Sequence, residues 1–347
     1  VLATLFAVGL ALAWLVSDEF RYLVRAGVEE ARILLARRPI EDLVRDPSTD
    51  PATRAKLELV LAARGFARDS LGLAAGETYT TYARVRRDTL LLVLSASRYD
   101  RLAPHYWTYP IVGRVPYKGF FDLERATREA RRLERAGMDT YVRPAAAFST
   151  LGWFEDPLLS TVVSGDSADL VATVIHEILH STIFLPGEVA FNESLANFAG
   201  HRGAERFFRA RGDGRNAARV AARWRDELRL GRFFEDVSRQ LEALYAPGIA
   251  GPALREERQR VFRLALSQLS GGVGARLETI DGSRLAQRPL NNAVVLAQRL
   301  YRTGLERFDR VLERGRGDLR ATIAAVADAA RSGPDPWAAL ATREGGP

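Results

Sequence analysis

The pentapeptide His176-Glu177-Ile178-Leu179-His180 constrains this chain more than any other stretch of it. Two histidines at i and i+4 of a helix project from one face, a turn apart. Neutral imidazoles at that separation suit a single tetrahedral zinc ion. A glutamate directly after the first histidine lies beside the open coordination position, where it can take a proton from a metal-bound water. Zinc brings the pKa of such a water towards about 7, within reach of a carboxylate base. The chain has only four histidines, His105, His176, His180 and His201, so the pattern rarely arises by chance. Ile175, Ile178, Leu179 and Ile183 make the surroundings apolar. Burying His, Glu and His among them is unfavourable unless those groups bind something.

A catalytic zinc site needs a third protein ligand and one open position. Leu185-Pro186-Gly187 breaks the motif helix, expected over 169–184, and reverses the chain. A second helix, expected from near 192 to about 212, can then return beside the first. Glu193, in Asn192-Glu193-Ser194-Leu195-Ala196, would stand in its opening turn, with twelve residues between it and His180. The other candidate is His201, two turns further on. Glu193 is preferred because its place at the helix opening accounts for both the turn and the apolar face that follows.

Around this site the sequence reads as an α+β protein whose C-terminal part is mostly helical. Residues 1–16 carry no charge, and Ser17-Asp18-Glu19 ends them abruptly. They are short for a membrane span, which needs about twenty residues. They match the apolar core of a signal peptide, with Ala11-Leu12-Ala13 as a small-residue cleavage pattern. We therefore expect residues 1–17 to be an export signal or membrane anchor and the rest to lie on the periplasmic side. A helical lead-in or stalk follows over 18–75, with Asp50-Pro51 opening one of its helices. Residues 76–212 read as the α+β catalytic part: strands near 89–94 and 140–142, short strands and turns over 107–121, and a charged helix over 123–136. Residues 213–332 read as helices that complete the cleft, and 333–347 as a loose tail.

Composition removes several classes of function. The net charge is +7, and only Lys56 and Lys118 among the basic residues are not arginine. The arginines alternate with acids, as in Arg125-Ala126-Thr127-Arg128-Glu129, a pattern of solvated helix faces and not of a nucleic-acid surface. The absence of cysteine excludes disulfides, thiolate metal sites, a cysteine nucleophile and a lipidated N-terminal cysteine.

His176-Glu177-Ile178-Leu179-His180 followed by Phe191-Asn192-Glu193-Ser194-Leu195-Ala196-Asn197-Phe198 resembles a predicted aminopeptidase family of bacterial zinc metallopeptidases. Arg38-Pro39-Ile40-Glu41, Tyr117-Lys118-Gly119-Phe120-Phe121-Asp122, Leu151-Gly152-Trp153-Phe154-Glu155 and Leu290-Asn291-Asn292-Ala293 extend the likeness over about residues 20–330. The resemblance implies a zincin-like metallopeptidase with a small mixed sheet and a thermolysin-like (gluzincin) site. In that site His176, His180 and Glu193 would hold zinc and Glu177 would be the base. The interval to the third ligand is shorter than in the thermolysin and alanyl-aminopeptidase groups, and the cysteines of many relatives are missing.

On the substrate side, residues 149–154 are a candidate edge strand for peptide backbone. Gly152 and Glu155 follow a Gly-x-x-Glu pattern like the amine-binding loop of alanyl aminopeptidases, so Glu155 is a candidate for holding a free α-amino group. Tyr301 and Asn292 are expected on one late helix, as oxyanion donor and backbone-binding group. Tyr117 and His201 compete for these roles. The expected activity is zinc-dependent peptide hydrolysis, as an aminopeptidase. The alternative is a membrane-tethered binding or scaffold protein whose metal is structural, closed by both Glu193 and His201.

Overall fold

A computed structural model of the chain describes residues 31–85, 91–109, 113–145, 157–246 and 249–345, with Val24, Gly27 and Val28. The expected signal segment 1–17 lies outside the described residues, as do the candidate edge 149–154, Gly152 and Glu155. Among the described residues no helix is long and apolar enough to cross a membrane.

In chain order, β1 (Arg38–Pro39), α1 (Ile40–Arg45) and α2 (Pro51–Asp69) precede β2 (Thr81–Ala83), β3 (Leu91–Arg98), β4 (Trp107–Tyr109), β5 (Gly113–Val115) and β6 (Tyr117–Phe120). Then come α3 (Leu123–Arg135), β7 (Met138–Ala145), β8 (Leu158–Leu159), α4 (Ser160–Val163) and α5 (Ser167–Thr182), which carries the histidine motif. The remainder is helical: α6 (Val189–Ala210), α7 (Gly214–Tyr245), α8 (Gly251–Ser270), α9 (Gly282–Ala286), α10 (Asn292–Arg299), α11 (Leu305–Arg314), α12 (Leu319–Arg331) and α13 (Pro336–Glu344). The architecture is α+β and predominantly helical.

Aspartates start several of these helices. Asp50 accepts from the Thr53 amide ahead of α2, with Pro51 at its first position; Asp166 accepts from Ala168 ahead of α5, and Asp213 from Asn216 ahead of α7. Each satisfies an amide that has no partner inside the helix. Among the described residues the strands form two small three-stranded sheets and a two-stranded antiparallel pair. In the first, β3 is flanked by β6 and β7, all antiparallel. Leu94 and Ala96 of β3 bury against Ala126, Ala130 and Leu133 of α3. The second is mixed, with β1 antiparallel and β8 parallel to β2.

The main core gathers Leu57, Val60 and Ala63 of α2, Ile175 and Ile178 of α5, Phe191 and Phe198 of α6, and Phe308 of α11. The lead-in helix α2 is therefore built into the core and is not a stalk. The expected loose tail is corrected too. Asp335 caps α13 through the Trp337 and Ala338 amides, Leu340 is buried, and the Trp337 ring meets Phe191 edge-on at 5.0 Å. One tryptophan at the right distance from an aromatic cluster outweighs a composition that otherwise reads as linker. A smaller core of Phe233, Phe234, Leu241, Phe262 and Val295 joins α7 and α8 to α10.

The contact of α5 with α6 positions the motif. At Gly200 of α6 a Cβ would stand 2.6 Å from the Ala172 carbonyl oxygen and 3.3 Å from the His176 Cβ, so the two backbones touch there. Gly200→Ala is expected to push α6 off α5 and to destabilise the protein by about 1–3 kcal/mol. Thermal denaturation should register this as a lower midpoint, and an unchanged midpoint would mean that the helices separate freely.

Candidate metal centre

α5 is apolar around its polar triplet: Ile175, Ile178 and Leu179 are buried in the core, while His176 and His180 share the opposite face. α5 ends at Thr182, and Gly187, with φ of +87°, makes the turn into α6. Asn192 fixes that turn. Its side-chain oxygen accepts from the Leu185 amide at 3.0 Å, and its amide donates to the Leu185 carbonyl at 2.8 Å. This buried double hydrogen bond sets the first turn of α6, and with it the direction of Glu193 next door.

The three expected ligands converge. His176 Nε2 and His180 Nε2 are 3.2 Å apart, and Glu193 Oε2 is 3.3 Å from the first and 3.8 Å from the second. Ligands 2.0–2.1 Å from a tetrahedral ion stand about 3.3–3.4 Å from one another, from the geometry of a tetrahedron. Two imidazole nitrogens and one carboxylate oxygen with these separations fit one face of such a tetrahedron, with the fourth corner left for a non-protein group. Among the described residues these three are the group of His, Asp and Glu side chains able to hold a metal ion. Their side chains are only 16–20% exposed.

Burial alone would push the Glu193 carboxyl up. Hydrogen bonds from His176 and His180, and the charge of those rings, outweigh it and hold the group well below the usual carboxylate range. The same exchange acts on His176 in reverse: burial lowers the imidazole, but the Glu193 hydrogen bond and the charges of Glu177 and Glu193 carry it above its ordinary value. His176 and His180 both approach the Glu193 carboxylate as ion pairs, and a cation bound there would compete with protons for the same donors.

A cleft of ≈ 520 Å³ opens beside this centre, lined by His176, Glu177, Asn197, His201, Arg143 and Tyr301 among others. Glu177 thus borders the cleft without belonging to the ligand group. Tyr301 lies in the turn after α10, not on a helix with Asn292 as expected. Asn197 of α6 holds that turn by donating to the Tyr301 carbonyl at 3.0 Å. Burial, then the charge of Glu193, pushes the Tyr301 hydroxyl up to about 12, so it keeps its proton at neutral pH. Tyr117 of β6 is raised as well, first by burial and then by Tyr301, Glu193 and Glu177.

The other candidates are not among the ligands. His201 is not in the ligand group; its Nδ1 meets the Asn197 carbonyl at 3.0 Å, and burial lowers its pKa. Asn292 is fully buried and does not line the cleft. Its amide donates to the Arg98 carbonyl at 2.9 Å, and its oxygen accepts from the Tyr245 hydroxyl at 2.8 Å, which makes it a strut between α10, α7 and the end of β3. Asn192, Asn197 and Arg143 are residues that sequence reasoning passed over. Asn197 stands one turn beyond Glu193, and that spacing is a signal that it shares the ligand's helix face. Arg143 has no such signal in a chain so rich in arginine.

Residues 21–335 match the model of one protein family, whose description is "Putative aminopeptidase". No curated protein and no solved structure matches the chain.

Proposed function

The chain belongs to the family described as "Putative aminopeptidase", and on that footing we propose that it is a zinc-dependent peptidase that acts at free N-termini. The observation that carries this reading is the triangle of His176 Nε2, His180 Nε2 and Glu193 Oε2, with edges of 3.2, 3.3 and 3.8 Å, set at the edge of a cleft that Glu177 lines. The family membership supports peptide hydrolysis. The donor set and its spacing support zinc. A closed structural site would call for a fourth protein donor, and among the described residues the group contains three.

His176, His180 and Glu193 would hold the ion, which when bound acidifies a water molecule and polarises the scissile carbonyl. Glu177 accepts the water's proton as the new bond forms and delivers it to the amine that leaves. The Tyr301 hydroxyl, protonated at working pH, donates a hydrogen bond to the oxygen on which negative charge develops. Gly152 and Glu155 retain their proposed role at the free α-amino group.

The direct test is metal content together with hydrolysis of aminoacyl reporters and short peptides. About one zinc per chain and hydrolysis that stops on chelation and returns with zinc are expected. Bound zinc with no hydrolysis across a peptide panel would favour the scaffold reading. Placement of the catalytic part outside the cytoplasm is proposed from the uncharged segment 1–16. Recovery of the untagged protein wholly in the cytosolic fraction would overturn it.

A further inference from the structure

Three arginines, Arg143, Arg223 and Arg302, and three acids, Asp169, Glu177 and Glu227, line the cleft. Arg302 lies against both oxygens of Glu227, at 2.7 and 3.2 Å, and Arg223 approaches the same carboxylate at 3.5 Å. Glu177 follows the ligand His176 directly, and a divalent ion held there would balance its charge. Arg143 is different. It comes from β7, an edge strand of its sheet, with its guanidinium 5.8 Å from the centre of the Tyr301 ring. Among the described residues no carboxylate forms an ion pair with it, and its hydrogen-bond partner is the Tyr301 hydroxyl.

A guanidinium in a partly dehydrated cleft presents a planar fork of donors that matches a carboxylate through two parallel hydrogen bonds. One donor of the Arg143 guanidinium meets the Tyr301 hydroxyl, and because a guanidinium carries five N–H donors others remain for a ligand. The cleft volume of ≈ 520 Å³ lies within the range of small-ligand sites, about 300–1,000 Å³, and is small for a long chain. Arg143 also sits against Tyr301, which shares the cleft with Glu177. A carboxylate held at Arg143 therefore lies in the same cleft as Glu177.

We infer that Arg143 anchors the free α-carboxylate of the substrate, so that the cleft selects short peptides over longer chains and over peptides with blocked C-termini. The inference rests on the peptidase reading and deepens it. Arg143 is on this account a specificity-determining residue and not a ligand or a base.

The test compares a tripeptide bearing a free C-terminus with the same peptide amidated, using the zinc-loaded protein. Wild type is expected to favour the free acid on the order of 10- to 100-fold in kcat/KM, mostly through KM. Arg143→Met should bring that ratio to near one. Arg143→Lys should restore part of it, since an ammonium keeps the charge but lacks the fork. Equal rates on the two peptides in wild type overturn the inference, and so does a ratio that survives in Arg143→Met. A uniform fall in kcat on both peptides also overturns it, because Arg143 would then act on the reaction's developing charge. If neither peptide is cut, the peptidase reading fails, and calorimetric binding of the two peptides still reads the anchor. Tighter binding of the free acid, lost in Arg143→Met, sustains the inference; equal binding overturns it.

Discussion

Glu177→Gln is expected to lower kcat/KM for peptide hydrolysis on the order of 10²- to 10⁴-fold while the protein keeps its zinc. The substitution preserves the size of the side chain and leaves a group that no longer accepts a proton. Glu177 lines the cleft and stands outside the ligand group of His176, His180 and Glu193, so removing its charge should leave the three donors in place. Turnover and metal content, measured on the same preparation, separate the possibilities. Activity within a few-fold of wild type would show that another group takes the proton. Loss of zinc together with activity would place Glu177 among the ligands.

The parts of the site that the sequence made legible are those set by local geometry. His176 and His180 share a face because a helix repeats every 3.6 residues, and the apolar residues between them require that helix. Glu193 could be read because Pro186 and Gly187 break one helix and a second begins soon after. Asp50, Asp122, Asp166 and Asp318 all cap the helices they precede. What stayed hidden depends on contacts between distant segments. Nothing near Trp337 announces that Phe191 and Phe308 wait for its ring. Nothing near Asn292 announces that the Arg98 carbonyl and the Tyr245 hydroxyl will use up its side chain, so an exposed substrate role looked equally reasonable.

The Tyr301 case joins the two kinds of reasoning. A helix was expected to carry both Asn292 and Tyr301, but α10 ends at Arg299. The residues after it follow a turn whose course Asn197 fixes from α6, through the Tyr301 carbonyl. The helix that supplies Glu193 thus also holds the tyrosine proposed as hydrogen-bond donor, with Asn197 one turn along from the ligand. Gly200, one further turn along, lets this helix lie against His176 itself. One helix face thereby sets the separation between a proposed ligand, a proposed oxyanion donor and the first histidine.

Glu193→Ala should weaken zinc binding by more than the 10- to 100-fold typical of losing an outer partner of a metal ligand, because it removes one of three direct donors. A readout that needs no substrate is the stabilisation of the folded protein by the ion. At a fixed free zinc concentration well above the Kd of both proteins, a 100-fold weaker site forfeits about 2.7 kcal/mol of that stabilisation. The zinc-dependent rise in melting temperature should shrink accordingly. Protons compete for the same imidazoles, and His176 is held above its ordinary pKa in the metal-free protein. Acid therefore favours the proton over the ion, so both proteins are compared at one alkaline pH. His201→Asn is the matched control, since its ring meets the Asn197 carbonyl and lies outside the ligand group. A zinc-dependent shift that survives in Glu193→Ala and disappears in His201→Asn would exchange the two residues' roles. It would also require α6 to turn a different face towards α5 from the one that Gly200 and the Asn192 double hydrogen bond now select.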